Sequence, residues 1–544
     1  MAKGFGTSTA IPTRNATKFM GAFRRCLVKV KGDEHKIHQF FNKHLDHLDE
    51  SLLAALPHLL SKLAPDPLLQ DRENVAYLLM SFGAFITEFP SGDRALNLEL
   101  SLAATHTALK ALPRESHPQE WAGIHNNLGV AYSNRIRGDR AENLEQAIAA
   151  YELALQVFTH KAFPEDWAEI QNNLGGTYFD RIRGDRAENL EQAIAAYELA
   201  LQVRTREAFP EKWAAIQNNL GNAYGDRIRG NRAENLEQVI RAYELALQVH
   251  TREAFPEDWA RIQNNLGLAY RDRIEGDPAK NLAVAVNLYQ QAAEIFTQDA
   301  LPLKWAENQG NLAETLMKRA ALTENSQDLD EAIRLLHAAL EVAVPGSPDG
   351  IDSHYRLGNA LSRRFEHRQD PTDLEQALQA YTAALEAISP EHYDRAKIWQ
   401  ALPATQSIVG SRLVRQGEWQ EGLQILLNSV RLLRQGDDPL AHANALYQTA
   451  VAHEALADWD NARLYYRDAL RLYQHVNDSP GIAKSYHGLG SVLASQGYFK
   501  KGMAALAQAR DLYEQLGKVN RVAEVESLYQ SAQRAEQQVQ EMAV

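Results

Sequence analysis

At 544 residues the chain is too long for one hydrophobic core, which rarely grows beyond about 300 residues, so it must form several domains or one array of repeats. A net charge of −13 argues against a general nucleic-acid binder, because such proteins usually carry a basic surface. The sequence has no run of 18 apolar residues, so no membrane span is predicted. The single cysteine, Cys26, excludes an internal disulfide and favours a cytoplasmic protein.

The first 74 residues are predicted to form an N-terminal helical segment. Residues 1–32 contain seven Lys or Arg and no acid, a composition found in organelle transit peptides and also in basic arms. Phe19, Phe23 and Leu27 follow helical spacing, which favours a basic arm that leads into a helix.

A histidine-rich stretch within this segment is a weak metal-site candidate. Its side chains fall into two pairs nine residues apart, which turns the pairs to opposite faces of one helix, so one metal cannot use both. The four histidines are His35, His38, His44 and His47.

The main signal downstream is a fixed period. Five tryptophans lie 46 residues apart, at Trp121, Trp167, Trp213, Trp259 and Trp305. A 12-residue segment that begins at Ile136 recurs unchanged from Ile182. A period of 20 to 50 residues indicates stacked supersecondary units. The tryptophans open apolar stripes, and packing against the neighbouring unit is preferred to a ligand-binding role.

Each unit is predicted to be a pair of helices, as residues 163–208 illustrate. Pro164 suits the first helical position, where its missing N–H costs nothing. The first helix is expected to end near Gly184. Asn189 with Gln192 resembles a capping box, which predicts the start of the second helix there. Neither helix can bury its apolar stripe alone, so units must stack.

Within the unit, a set of apolar and small residues resembles the signature of the tetratricopeptide repeat. The set is Leu174, Gly175, Tyr178, Ala193, Tyr197 and Ala200. Gly175 and Ala200 are small where the two helices must approach closely. The sequence departs from the signature at Gln171, where the family has tryptophan, and six extra residues lengthen the turn. The resemblance implies an all-α fold, a right-handed α-solenoid of helix hairpins.

The repeats divide the chain into regions. Residues 75–392 are predicted to be an array of 46-residue units, and 393–518 three units of 40 residues that resemble the Leu-Gly-Asn and kinesin-light-chain types. Residues 519–544 are predicted to form a C-terminal capping helix. Because the turn shortens, a change in superhelical geometry is expected near 393–403.

The 46-residue units are similar to the arrays of bacterial, especially cyanobacterial, proteins, in which such arrays often precede a caspase-like protease domain of the CHAT class. That protease needs a His and Cys dyad in an α/β domain. No such domain is expected here, since the only cysteine lies at position 26, before the repeats. The resemblance therefore implies a regulatory or sensor subunit of a separate effector.

The strongest candidate site is a ladder of paired asparagines in the first helices. One column comprises Asn126, Asn172, Asn218 and Asn264, and the second comprises Asn127, Asn173, Asn219, Asn265 and Asn311. Asn costs roughly 0.7 kcal/mol against Ala inside a helix, so its recurrence suggests a compensating role. The family resemblance implies that these side chains line an inner groove and bind the backbone of an extended peptide, the second column more than the first. The alternatives are hydrogen bonds between neighbouring helices, or simple duplication.

Two further patterns bear on binding. Specificity is predicted to come from groove positions that differ between units, namely Gly176, Asn222 and Leu268, together with Phe179, Gly225 and Arg271. The charged turn around Arg181 and Arg183 could bind phosphate or acidic protein. Its interleaved acids favour salt bridges within and between repeats instead.

The leading hypothesis is thus a non-enzymatic scaffold or adaptor that binds a protein or peptide in its groove and needs no cofactor or metal. Helical-repeat RNA recognition is one alternative, but near-identical units would read only a homopolymer. An enzyme is the other, and its site would have to lie in the N-terminal segment of 74 residues.

Overall fold

The computed structural model describes residues 10–60, 71–388, 395–434, 436 and 438–542. Across these ranges the regular secondary structure consists of 24 α-helices and two short 3-10 turns, as an all-α repeat fold requires. The chain forms two compact units, Met1–Gly276 and Asp277–Val544. No helix within the described ranges is long and apolar enough to cross a membrane.

The first unit contains twelve helices. They are α1 (Ala10–Val30), α2 (Glu34–Asn42), α3 (Glu50–Ala55), α4 (Arg72–Glu88), α5 (Arg94–Leu109), α6 (Pro118–Asn134), α7 (Arg140–Leu155), α8 (Pro164–Asp180), α9 (Arg186–Leu201), α10 (Pro210–Asp226), α11 (Arg232–Ala246) and α12 (Pro256–Asp272). From α4 to α11, successive helices pack as hairpins, and each hairpin packs against the next.

The N-terminal helices bury a cluster of aromatic rings against the first hairpin. Phe23 and Phe41 stack with ring centroids 5.5 Å apart, and both contact Phe82 of α4 edge-on. Phe19 and Phe23 are buried on α1, which confirms that their spacing marks an apolar helix face.

The turn inside each hairpin depends on one glycine and one acid. After α8 ends, Gly184 adopts φ +83°, a conformation that favours glycine, and Asp185 accepts a hydrogen bond from the Glu188 amide at 2.8 Å. The predicted capping box at Asn189 is therefore wrong, because α9 already begins at Arg186. Asn189 is buried inside the helix, and its Nδ2 donates to the Arg183 carbonyl at 2.9 Å, which fastens the turn.

Small residues allow the two helices of a hairpin to touch, as the sequence predicts for Gly175. A methyl group at Gly175 would lie 2.8 Å from ring atoms of Tyr197 on α9, well inside van der Waals contact. The same contact recurs between Gly129 and Tyr151. The tyrosine ring thus fills the space that a side chain would need.

The second unit contains the other twelve helices. They are α13 (Pro278–Ala293), α14 (Pro302–Thr323), α15 (Ser326–Val342), α16 (Pro348–Arg368), α17 (Pro371–Ala387), α18 (Arg395–Gln416), α19 (Trp419–Leu433), α20 (Pro439–Ala455), α21 (Trp459–His475), α22 (Ser479–Ser495), α23 (Phe499–Gln515) and α24 (Val519–Met542). Here α14 to α23 pair as hairpins.

The last helix, α24, covers an apolar face of α22 and α23. Its Val525 is fully buried in a cluster with Leu506 and Tyr513. The predicted boundary between 392 and 393 falls within residues 389–394, outside the described residues, so the division there and the change of geometry remain predictions.

Candidate peptide-binding site

Two adjoining cavities open along the first helices of the first unit. The first cavity, of about 330 Å³, lies between α6, α8 and α10. The second cavity, of about 360 Å³, lies between α8, α10, α11 and α12. Phe179 and Asn222 line both, so the two form one continuous groove.

The second asparagine column lies in this groove. Asn173 and Asn219 line the first cavity, and Asn265 lines the second. The side chains of Asn127 and Asn173 are half-buried and form no hydrogen bond within the described residues. Each therefore offers one donor and one acceptor to a ligand.

Other members of the second column are bonded to neighbouring units. Asn219 Nδ2 donates to Asn172 Oδ1 at 3.3 Å, and Asn265 Nδ2 donates to Asn222 Oδ1 at 3.4 Å. Both distances exceed the usual range for such bonds, so a ligand can displace them at little cost. In the second unit, Asn311 is buried and accepts from Arg356 at 3.5 Å.

The first column is turned further into the contact between units. Asn218 and Asn264 are 3% and 6% exposed, and the Oδ1 atoms of Asn126 and Asn218 are buried without a hydrogen-bond partner among the described residues. Only Asn172 of this column lines a cavity, where it accepts the bond from Asn219. The structure thus brings the second column to the groove and places most of the first behind it.

The positions predicted to differ between units all line the groove. They are Gly176, Phe179 and Asn222 in the first cavity, and Phe179, Asn222, Gly225, Leu268 and Arg271 in the second. The groove is therefore chemically different from one unit to the next, although the helices around it repeat.

Sequence reasoning missed the tyrosines of the second helices as groove residues. Tyr151 and Tyr197 line the first cavity, and Tyr243 lines the second. The Tyr243 hydroxyl donates to Asn222 Oδ1 at 2.6 Å, which holds that amide in place. Burial of these rings raises the pKa of each tyrosine, so all three remain neutral donors. The available signal was the pairing of each tyrosine with a glycine on the facing helix.

Comparison with known proteins identifies the repeats. The family profile of the tetratricopeptide repeat matches residues 121–159, 167–206 and 213–252, which contain the hairpins from α6 to α11. The chain is a tetratricopeptide-repeat protein. Similar curated proteins include tetratricopeptide repeat protein 29 from Homo sapiens, 21% identical over 98 residues, and its counterpart from Macaca fascicularis, 20% identical over 98 residues. These matches cover 18% of this chain, and the chain spans about a fifth (21%) of the length of either relative.

Solved structures with partial likeness also carry such repeats. The apo form of RapI matches with a TM-score of 0.39 at 14% identity, over 76% of this chain and 97% of its own. The TPR2AB domain of yeast Sti1 in complex with a pHSP90 peptide matches at 0.23 and 14%, over 59% and 99%. The P58(IPK) TPR domain matches at 0.24 and 12%, over 77% and 99%.

The arginines of the charged turn are held between the tetratricopeptide repeats. Arg181 forms a two-pronged ion pair with Glu145 of the preceding unit, at 2.8 and 2.7 Å, and Arg227 pairs with Glu191 at the same distances. These hydrogen bonds lower the pKa of both glutamates, so the pairs stay charged at neutral pH. Arg183 likewise pairs with Glu142 at 2.9 Å. The prediction of inter-repeat salt bridges is confirmed.

The histidines and tryptophans have structural surroundings. Within the described residues, no group of three or more His, Cys, Asp or Glu is arranged to hold a metal. His44 Nδ1 lies 2.8 Å from the Phe40 carbonyl, and His38 packs on Phe89. Trp121 is half-buried beneath the guanidinium of Arg114, which comes from the preceding turn.

Proposed function

We propose that this tetratricopeptide-repeat protein is a non-enzymatic scaffold that binds an extended segment of another protein along α8, α10 and α12. The observation that carries the proposal is the row formed by Asn173, Asn219 and Asn265 along two adjoining cavities. A side-chain amide both donates and accepts, so a row of amides suits a peptide backbone, whose N–H and C=O groups repeat regularly.

The charges around the groove support a peptide rather than a strongly ionic ligand. Arg181 and Arg227 are already bound to glutamates of the preceding units. Arg140 and Arg186 each lie 3.3 Å from an aspartate of the following unit. Because these guanidinium groups have partners, binding a phosphate or an RNA backbone would require breaking contacts between repeats.

The test is a direct measurement of peptide affinity. Peptides are selected from a random phage-displayed library with the full chain, and then titrated calorimetrically against wild type and a variant with Asn173, Asn219 and Asn265 changed to Ala. Ala favours helix, so the variant keeps its circular dichroism spectrum. At about 1 kcal/mol for each neutral hydrogen bond, affinity falls by a few kcal/mol at most.

A matched control removes three amides that lie outside the groove. Gln156, Gln202 and Gln248 occupy equivalent exposed positions after α7, α9 and α11, and line neither cavity. Changing them to Ala leaves affinity unaltered. Equal affinity of the asparagine variant and wild type would remove the row from the binding site. Loss of folding in that variant would mean that the asparagines are structural.

A more specific hypothesis is that the scaffold is the regulatory or sensor subunit of a separate effector, such as a caspase-like protease. It rests on the similarity of the 46-residue units to arrays that precede such proteases. Cys26 is a free thiol, which suits a reducing compartment such as the cytoplasm. Co-expression with proteins encoded by neighbouring genes, followed by gel filtration, tests it. Failure of every such protein to co-elute would refute it.

A further inference from the structure

The second cavity exists because one unit has a glycine where its neighbours have large side chains. Gly225 lies near the end of α10, and the nearest side-chain atom to a methyl group placed there is Val239 Cγ2, at 3.9 Å. The preceding unit has Phe179 at this position, and the following unit has Arg271. The missing side chain leaves open space between α10 and α12.

The walls of that space are apolar. Leu236 and Val239 of α11 contribute from one side, Leu268 and Ala269 of α12 from another, and Phe179 of α8 from a third. The first cavity differs, since Ser133, Asn134, Asn172 and Asn173 give it polar walls. The two adjoining cavities therefore suit different side chains.

Charges at the rim of the second cavity are neutralised by each other. Arg271 pairs with Asp272 at 3.0 Å, and Asp226 lies 3.3 Å from Arg186. The Arg232 guanidinium donates to the Gly225 carbonyl, which ties it to the end of α10. Two cations and two anions thus border an uncharged interior, so the complementary occupant is uncharged.

We propose that the second cavity binds one large apolar side chain of leucine, methionine or phenylalanine from the extended peptide, while the first cavity binds a polar side chain. This inference rests on the proposed function. Asn222 and Asn265, at the mouth of the cavity, hold the peptide backbone beside the apolar residue. Packed helices lie roughly 10 Å apart, and an extended peptide advances about 3.3 Å per residue, so the two side chains are about three residues apart.

The test uses the library-selected peptides and the full chain with Gly225→Phe, which installs the residue of the preceding unit. Filling the cavity weakens binding roughly 10- to 100-fold, the range expected for losing the burial of one large apolar side chain. Ala195→Phe is the control, because Ala195 is exposed on α9 and lines neither cavity, so affinity is unchanged. Replacing the apolar residue of the peptide by alanine weakens binding to wild type by the same factor and has no further effect on the Gly225→Phe protein.

The outcomes separate this inference from the function on which it rests. If peptides bind and the asparagine variant weakens them while Gly225→Phe does not, the apolar cavity is refuted and the scaffold stands. If selected peptides share no apolar residue, the inference is equally refuted. If no peptide is selected, or the asparagine variant binds as wild type does, both are overturned. Should Gly225→Phe not fold, the alanine-substituted peptides on wild type decide alone.

Discussion

Two glycines on the same helix, one turn apart, should respond oppositely to the same substitution. A methyl group at Gly221 of α10 would lie 2.6, 2.9 and 3.0 Å from three ring atoms of Tyr243. Carbon atoms in contact prefer about 3.5–4.0 Å, so the ring or the helix would have to move by roughly 1 Å. At Gly225 the nearest atom is 3.9 Å away, which is ordinary contact.

The ring of Tyr243 has little room to move. It is 4% exposed, and its hydroxyl is bound to Asn222. Overpacking a site of this kind costs about 1–3 kcal/mol. Replacing glycine by alanine inside a helix otherwise stabilises by up to about 1 kcal/mol, and this gain applies to both variants. Gly221→Ala is therefore expected to be about 1–3 kcal/mol less stable than Gly225→Ala.

Amide hydrogen exchange of peptides that span α10 and α11 measures this difference locally, which suits a repeat array that need not unfold in one step. Each 1.4 kcal/mol corresponds to a tenfold change in exchange rate, so the Gly221→Ala protein exchanges roughly 10- to 100-fold faster. A double variant that adds Tyr243→Leu relieves the contact and recovers part of the loss. Equal protection of the two single variants would show that the helices do not approach as closely as described.

Three further outcomes are expected. Arg227→Met removes the ion pair with Glu191 and costs about 1 kcal/mol in urea unfolding. Since Arg227 lowers the pKa of Glu191, the difference persists above the unfolded value near 4.5 and vanishes as pH falls below it; a pH-independent difference would contradict this. Burial lowers the pKa of His125 to about 4, so the unfolded chain alone takes up the proton below pH 6.5, and wild type loses about 2 kcal/mol more than His125→Gln between pH 6.5 and 5. Matching pH profiles would refute that assignment. Ending the chain at Gly517 uncovers the surface that Val525 buries, and exchange protection in α22 and α23 falls; unchanged protection would deny α24 a capping role.

The sequence was sufficient for the helix hairpin because each hairpin uses local chemistry. Pro164 begins α8 as predicted, since proline fits the first turn of a helix. The start of α9 was mistaken because two overlapping patterns compete: Asp185 with Glu188 and Asn189 with Gln192 both resemble a capping box. Tertiary structure decides between them, because Asn189 is consumed by bonding the turn.

The groove could be predicted in part. The spacing of Asn173, Asn219 and Asn265 placed them on one face, and all three line the cavities. Their bonding could not be predicted, because whether Asn219 reaches Asn172 depends on the separation of neighbouring units. The depth of the cavity at Gly225 was equally hidden, since it depends on which side chains of α11 and α12 surround the missing one.

The distribution of sameness and difference along the array follows from which contacts repeat. The arginine–glutamate pair and the glycine–tyrosine contact join helices, and the same residues serve in successive units because every junction must satisfy the same geometry. Groove positions make no such junction, so Phe179, Gly225 and Arg271 can differ at one helical position without disturbing the stack. A peptide laid along the groove therefore meets regularly recurring amides but a different cavity at each step. Affinity can accumulate along the amides for many peptides, whereas discrimination must come from the order of the cavities.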